Sequence, residues 1–290
     1  MARTNRNIVV AVRDEINGRR ALQRALAFAC AETDSIHLVH AQRLVDLTRV
    51  VDLLQPRRTS ADDQQSGADD PWLETLAGEA RSQGREVQCI SLSGRAGPAV
   101  AEYARMVRAD LIVVASPREG LVRELFLGSS AIRILRAADC PVLVARNDPV
   151  PRYRCALLAI DNDPVATRVI AATGAFLAET TINLAHAYLV PEEYKLRMHG
   201  VSEETIADLR LARRGDFEQE LQPLTRQLPQ AILHFKHGFA PSVILELFNQ
   251  LKPDIIVIGR HSGSALDEQV MGSVTQFLLY ACNTDFLLVP

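Results

Sequence analysis

Short apolar runs alternate with segments of helical spacing along the whole chain. The first run, at residues 7–12, is almost continuously apolar, as expected for a strand buried on both faces of a parallel sheet. In residues 20–30 the apolar positions recur at helical spacing, which predicts a helix that covers one face of that sheet. The full pattern predicts strands at 7–12, 36–41, 87–92, 111–115, 142–145, 155–160, 182–187, 231–236, 254–258 and 286–289 and helices at 20–30, 44–54, 72–82, 98–107, 129–137, 164–178, 192–227, 241–251 and 274–282.

Regular alternation of strands and helices implies parallel pairing with right-handed crossovers. The predicted fold class is therefore α/β, with two tandem, doubly wound, parallel five-stranded sheets that carry helices on both faces. Ligands bind such sheets at the carboxyl ends of the strands, where the strand order reverses. Residues 55–70 are too polar to fold alone and are predicted to form a mobile loop.

The chain is an internal duplication. Four blocks of the first half, at 7–12, 37–41, 94–100 and 109–130, reappear in the same order in the second half. The period of about 145 residues indicates two domains rather than a short-period solenoid. We expect the domains to span residues 1–147 and 153–290, joined by a short linker that contains Pro149 and Pro151. His40 and His186 are equivalent in the two copies, and both are expected to be core residues.

Residues 253–274 form the most informative stretch. An apolar strand closes at Gly259, a polar loop follows, and Gly272 and Ser273 open a helix thirteen residues later. A strand, a glycine-edged loop and a helix start present backbone N–H groups to an anion, usually a phosphate. The first half repeats the spacing, with Ala115 closing the strand and Gly128 opening the helix.

Composition removes several classes of function. The net charge of −3 predicts no nucleic-acid or membrane partner, and no apolar run is long enough to span a bilayer. The N-terminus lacks the pattern of a signal peptide. The five cysteines lie far apart without metal-ligand spacing, which is typical of reduced thiols. We expect a soluble, cytoplasmic protein.

The strand that ends in His186 and Ala187, the helix start at Gly238 and Pro241, and the frame that ends Gly272-Ser273-Val274 resemble the universal stress protein family in its tandem form. The resemblance covers both halves and implies the adenine nucleotide alpha hydrolase-like fold. Many members of the family bind ATP through a glycine frame, together with an aspartate at the end of the first strand.

In the second half the resemblance implies a nucleotide site. Asp161 stands at the ribose position, Ala187 at a backbone contact to adenine, and the phosphate frame is formed by Gly259, Gly272, Ser273 and Val274. The middle glycine of the family pattern falls on Ser262, with Gly263 one place late. A Cβ at Ser262 crowds the approach of a phosphate to the backbone.

The first half is a degenerate counterpart. Arg13 replaces the aspartate, Ala115 the first glycine and Arg118 the second, which leaves Gly128 and Ser129 of the frame. A guanidinium cannot accept hydrogen bonds from ribose hydroxyls. We expect this half not to bind ATP in the family manner, and its arginines to be surface charges or contacts to some other anion.

Three hypotheses follow. The first is a non-enzymatic, ligand-responsive stress protein that binds an adenine nucleotide, ATP with or without Mg²⁺, in the C-terminal domain. Its two domains would pair as a pseudo-dimer, and a homodimer of the whole chain is a further alternative. The alternative is a degenerate binding module that holds no nucleotide and acts through another small ligand or a protein partner. The third is a weak ATPase, although no catalytic or metal-binding residue is assigned.

Overall fold

The computed structural model describes residues 6–29, 34–42, 71–116, 128–148, 152–260 and 271–290. The described residues up to Asp148 form one compact unit, and those from Arg152 onward form a second. The predicted helix at 44–54, the predicted loop at 55–70 and the two linker prolines lie outside the described residues.

The described elements of the first unit are β1 (Asn7–Val12), α1 (Glu15–Phe28), β2 (Ser35–Gln42), α2 (Pro71–Arg81), β3 (Val87–Ser93), α3 (Ala96–Met106), β4 (Leu111–Ala115), α4 (Ser129–Ala137) and β5 (Val142–Ala145). The strands form a parallel sheet with the order β3-β2-β1-β4-β5. Helices α1 and α2 contact each other, and α3 and α4 contact each other, so the helices form two separate layers.

The described elements of the second unit are β6 (Cys155–Ala159), α5 (Pro164–Phe176), β7 (Thr181–Tyr188), α6 (Glu193–Met198), α7 (Glu203–Glu220), α8 (Gln222–Thr225), β8 (Ile232–His237), α9 (Ala240–Leu251), β9 (Ile255–Gly259), α10 (Ser273–Ala281) and β10 (Asp285–Val289). The strands repeat the topology of the first unit with the order β8-β7-β6-β9-β10. Three helices, α6, α7 and α8, lie between β7 and β8.

Three sequence predictions need correction. Helix α1 begins at Glu15 and not at residue 20, because the Asp14 carboxylate accepts a hydrogen bond from the backbone N–H of Asn17 at 2.9 Å and caps the helix. The predicted helix at 192–227 is broken, because Gly200 has a φ of +79° and Ser202 starts a new helix. The expected core position of His40 is also wrong, since its ring is half-buried against Trp72.

The central strands carry the core of each unit. Ile8, Val9 and Val10 of β1 have no exposed surface, and Leu157 and Leu158 of β6 are equally buried. Successive side chains of a strand point to opposite faces, so these runs are covered on both sides. Continuous burial on both faces is the reason that the strands could be recognised as unbroken apolar runs.

Gly97 permits the close packing of α3 against α4. A Cβ added at Gly97 would lie 2.4 Å from the Cβ of Arg133, so one helix must shift. We expect Gly97→Ala to lower the free energy of unfolding by about 1–3 kcal/mol, as overpacked core positions do. Chemical denaturation monitored by circular dichroism measures the change.

Gly78→Ala is the matched control, because Gly78 is exposed inside α2 and nothing lies within 4 Å of the position that an added methyl group would take. Alanine is the better helix former, so this variant should be unchanged or more stable by about 0.5–1 kcal/mol. Equal losses of stability in the two variants would show that the α3–α4 contact is not the cause.

Candidate functional site

A pocket opens in the second unit where the strand order reverses between β6 and β9. Its cavity volume is about 120 Å³, and it is lined from the carboxyl ends of β6, β7 and β9 and from the starts of α5, α9 and α10. The lining includes six residues predicted for the nucleotide site, namely Asp161, Ala187, Gly259, Gly272, Ser273 and Val274. Ser262 and Gly263, also predicted for this site, lie outside the described residues.

The end of β6 carries the acidic part of the pocket. The Asp161 side chain is 73% exposed, and its Oδ1 accepts a hydrogen bond from the backbone N–H of Asn162 at 2.8 Å. The same Oδ1 lies 3.8 Å from Nδ1 of the buried His186, which is also 3.2 Å from the carbonyl oxygen of Ile160. The end of β6 is thus held while Asp161 remains accessible to a ligand.

Asp163 has a structural task. Its Oδ1 accepts a hydrogen bond from the backbone N–H of Ala166 at 2.9 Å and caps α5, which continues with Pro164 in its first turn. Among the described lining residues Asp161 and Asp163 are the charged ones, and both are acidic.

The glycine frame is tied to the sheet by a residue that the sequence pattern did not single out. The Thr275 hydroxyl donates to the carbonyl oxygen of Gly259 at 2.8 Å and joins the start of α10 to the end of β9. The N–H of Gly272 donates to the carbonyl of Arg260 at 2.9 Å, and the N–H of Gln276 closes the first helical turn on the carbonyl of Gly272. The amide groups of residues 273–275 therefore precede the helical hydrogen-bond ladder, and amide groups in this position are able to donate to an anion.

The walls of the pocket are aliphatic. Ile160, Val165 and Val169 line it from the side of β6 and α5, and Ile244 and Ile258 line it from α9 and β9. A pocket with apolar walls and a few polar groups at one end is suited to a ligand that has an apolar part and a polar part.

The helices between β7 and β8 are connected to the pocket. The ring of His186 packs against Phe217 of α7 at a centroid distance of 4.5 Å, and the guanidinium carbon of Arg213 lies 4.2 Å from the centre of the Phe217 ring. The Asn162 side chain donates to Glu220 Oε2 at 2.9 Å. Helix α7 thus contacts His186, which lies beside Asp161 in space, and Asn162, which follows Asp161 in the sequence.

The carboxylate of Glu193 in α6 is surrounded by basic side chains. The guanidinium Nε of Arg210 donates to Glu193 Oε2 at 3.0 Å, and Arg197 and His237 lie within 3.2 Å and 2.9 Å of the same carboxylate. The hydrogen bond from Arg210 is the largest effect and lowers the pKa of Glu193 below its ordinary value.

The first unit has a pocket at the equivalent place, with a cavity volume of about 100 Å³. Of the predicted counterparts, Arg13, Ala115 and Gly128 line it, and Ser129 begins α4 beside it. Arg118 lies outside the described residues.

Comparison with known proteins identifies the family. The profile of the Universal stress protein family matches residues 4–146 and again residues 152–290. The chain belongs to the universal stress protein family. The resemblance seen in the sequence is thereby confirmed, including the tandem arrangement.

Individual relatives of this universal stress protein are distant. One from Mycobacterium tuberculosis strain H37Rv is 23% identical over 187 residues, which are 62% of this chain and 61% of that protein. The chain thus spans about three fifths of the length of such curated relatives. A solved universal stress protein from Archaeoglobus fulgidus has a TM-score of 0.66 and 14% identity, with 98% of this chain and 97% of that chain covered.

A solved protein from Pseudomonas aeruginosa, described as functionally unknown, also has a TM-score of 0.66, with 21% identity over 98% of this chain and 92% of that chain. These likenesses confirm the predicted α/β fold. Within the described part of this universal stress protein, no helix is both long and apolar enough to cross a membrane. The described residues also contain no group of three or more His, Cys, Asp or Glu side chains that could hold a metal ion.

The contacts of Glu193 with Arg197, Arg210 and His237 predict a pH-dependent contribution to the free energy of unfolding. Because the folded-state pKa of Glu193 is lowered, the contribution is present above the ordinary pKa of 4.5 and is lost as the pH falls through the lower folded value. We expect Glu193→Gln to reduce the free energy of unfolding by about 1 kcal/mol at neutral pH, and by progressively less below pH 4.5. Urea unfolding at several pH values measures this.

Glu218→Gln is the control for that experiment. Glu218 forms an exposed pair with Arg214 one helical turn away in α7, at 2.7 Å, and such pairs contribute only about 0.3–0.5 kcal/mol. A Glu193→Gln loss that stays constant down to pH 3 would contradict the electrostatic origin of the effect.

Proposed function

We propose that this protein is a non-enzymatic, ligand-responsive stress protein whose C-terminal domain binds an adenine nucleotide. The observation that carries the proposal is the convergence of Asp161, Ala187, Gly259 and the start of α10 on one pocket. These residues come from four separate elements of the sheet and helices, and each has the chemistry that the family resemblance assigns to it.

The adenosine part fits the apolar end of the pocket. Ile160, Val165 and Ile244 would pack on the adenine ring, while the backbone of Ala187 at the end of β7 would contact its polar edge. Asp161 would accept hydrogen bonds from ribose hydroxyls, since a carboxylate is an acceptor and most of this side chain is open to solvent.

The phosphates would approach the start of α10. Gly272 carries no side chain, and the amide groups that follow it precede the helical ladder and meet the positive end of the helix dipole. The Thr275 bond to Gly259 keeps this start in place before a ligand arrives. Mg²⁺ belongs to the proposal as a counter-ion of the nucleotide phosphates.

A binding role is favoured over turnover by the groups at the pocket. Phosphoryl transfer needs a positioned base or water-orienting residue and metal ligands around the phosphates. The carboxylates among the described lining residues are Asp161, at the ribose end, and Asp163, which is engaged as the cap of α5. We therefore propose that bound nucleotide changes the state of the protein rather than being its substrate.

A second candidate ligand class has its own support. The described charges that line the pocket are both acidic and its walls are aliphatic. These features favour a neutral or cationic apolar molecule, which corresponds to a degenerate module that holds no nucleotide. Nucleotide titration separates this candidate from the first.

We expect the full chain to bind ATP in isothermal titration calorimetry at millimolar concentration or below, and to retain adenine nucleotide in mass spectra after gentle extraction.

Gly272→Val should weaken ATP binding at least about tenfold, equivalent to about 1.4 kcal/mol, because a branched side chain would occupy the approach to the backbone amides. Gly128→Val makes the same change at the start of α4 and should leave ATP binding intact. Equal loss in both variants would contradict the assignment to one domain, and the absence of both heat and retained nucleotide would remove nucleotide binding altogether.

The ribose contact can be tested separately. Asp161→Ala should weaken both ATP and adenosine by about tenfold or more, because hydrogen bonds to charged groups contribute about 1.5–3 kcal/mol. Asp161→Asn should lie between the alanine variant and the wild type, since an amide oxygen still accepts. An alanine variant that loses ATP but keeps adenosine would instead place Asp161 at the phosphates.

A further inference from the structure

The pocket of the first unit has kept its shape although its nucleotide pattern is lost. Its cavity volume of about 100 Å³ is close to the 120 Å³ of the second unit. Five of the apolar lining residues occupy equivalent positions in the two copies. Ala11, Ala41, Ala96, Val100 and Val114 correspond to Ala159, Ala187, Ala240, Ile244 and Ile258. A degenerate site with no ligand could have been filled by larger side chains, yet these walls remain small and aliphatic.

The polar groups of the two pockets differ in kind. Arg13 stands where the second unit has Asp161, Ser130 stands in place of Val274, and Asn17 in place of Ala166. The second pocket offers a carboxylate acceptor at the strand end, whereas the first offers a guanidinium with five N–H donors. The polar group that follows the first strand has therefore changed from an acceptor to a donor.

Contacts around Arg13 leave its charge available. Its side chain is 70% exposed, and the guanidinium meets the Asp14 carboxylate through Nε at 3.3 Å. The Asp14 carboxylate is also engaged in capping α1, where it accepts from the backbone and the side chain of Asn17 at 2.9 Å. The terminal nitrogens of Arg13 can therefore meet a ligand while Nε stays on Asp14.

A second guanidinium, that of Arg20, contacts Asn17 of the pocket lining. Arg20 is buried, its Nη2 donates to Asn17 Oδ1 at 2.7 Å, and it also donates to the carbonyl oxygen of Ser116 beyond the end of β4. Among the described lining residues, the charges of the first pocket are Arg13 and Asp14, which have opposite signs, whereas those of the second pocket are Asp161 and Asp163, which are both acidic. The charged side chains of the first pocket therefore oppose a small anion less than those of the second pocket do.

The other end of the pocket is the start of α4, a helix of nine residues. Its first backbone N–H bonded within the helix is that of Ile132, which donates to the carbonyl of Gly128, so the amides of residues 129–131 precede the ladder. Gly128 and Ser130 line the same cavity as Arg13. Donors from a guanidinium and from a helix start thus border one cavity with apolar walls.

We propose that the pocket of the first unit binds a small organic anion with an apolar body, its phosphate or carboxylate group held by Arg13 and the start of α4. The apolar body would pack on Val100, Val114 and the neighbouring alanines. This site is independent of the nucleotide site proposed for the second unit. The two domains of one chain would then respond to two chemically different ligands.

The test is a calorimetric titration of the full chain, without nucleotide, by phenyl phosphate, benzoate and the uncharged match phenol. We expect at least one of the anions to bind with a Kd of about 1 mM or below, and phenol to bind at least about tenfold more weakly. Binding of both anions would identify the shared charge as the determinant, and binding of one alone would identify phosphate or carboxylate. No binding of either anion at about 20 mM, or equal binding of phenol, would overturn the proposal.

Variants locate the site. Arg13→Ala should weaken the bound anion at least about tenfold, while Arg13→Lys, which keeps the charge, should weaken it less. Arg105→Ala is the matched control, because Arg105 is an exposed arginine of the same unit that pairs with Asp139 and does not line the pocket, and it should leave phenyl phosphate and benzoate binding unaltered. Arg13 is mostly exposed, so its variants are expected to fold, and thermal unfolding checks this. An unchanged affinity of Arg13→Ala, or an equal loss in Arg105→Ala, would overturn the proposal whatever the result with ATP.

Discussion

The parallel pairing of the first strand of each unit with two partners is the constraint from which both pockets arise. β1 pairs with β2 on one side and β4 on the other, and β6 pairs in the same way with β7 and β9. Because the strand order reverses there, the helices that follow β1 and β4 lie in different layers. Their starts border a crevice at the carboxyl ends of the strands, which is the usual place for ligands in open α/β sheets.

Each unit fastens the end of its fourth strand differently. In the second unit the Thr275 hydroxyl at the start of α10 binds the carbonyl of Gly259 at 2.8 Å. In the first unit Ala131 stands at the equivalent position and has no hydroxyl, and the buried Arg20 of α1 instead binds the carbonyl of Ser116. The end of the fourth strand is therefore held by a neutral hydroxyl in one copy and by a guanidinium in the other.

The helices inserted between β7 and β8 add a connection that the first unit does not show in its described residues. His186 packs on Phe217 of α7 and lies beside Asp161, and Asn162 binds Glu220 near the end of the same helix. The His186 ring is buried, so α7 packs closely on the residue that lies beside Asp161.

Sequence alone determined the alternation of ten strands with helices, because parallel strands that are buried on both faces appear as unbroken apolar runs. It also determined the duplication and the family, because the same motifs occur in the same order in both halves. It also indicated the residues of the second unit that line one pocket, since the glycine frame and Asp161 lie at strand ends. It placed the start of α1 wrongly, because the first turn of that helix is polar and depends on the cap formed by Asp14. Only the tertiary structure decided the roles of Thr275, Arg20 and Phe217, whose partners are distant in sequence. Periodicity records which face of an element is buried, but hydrogen bonds between elements depend on how those faces meet in space.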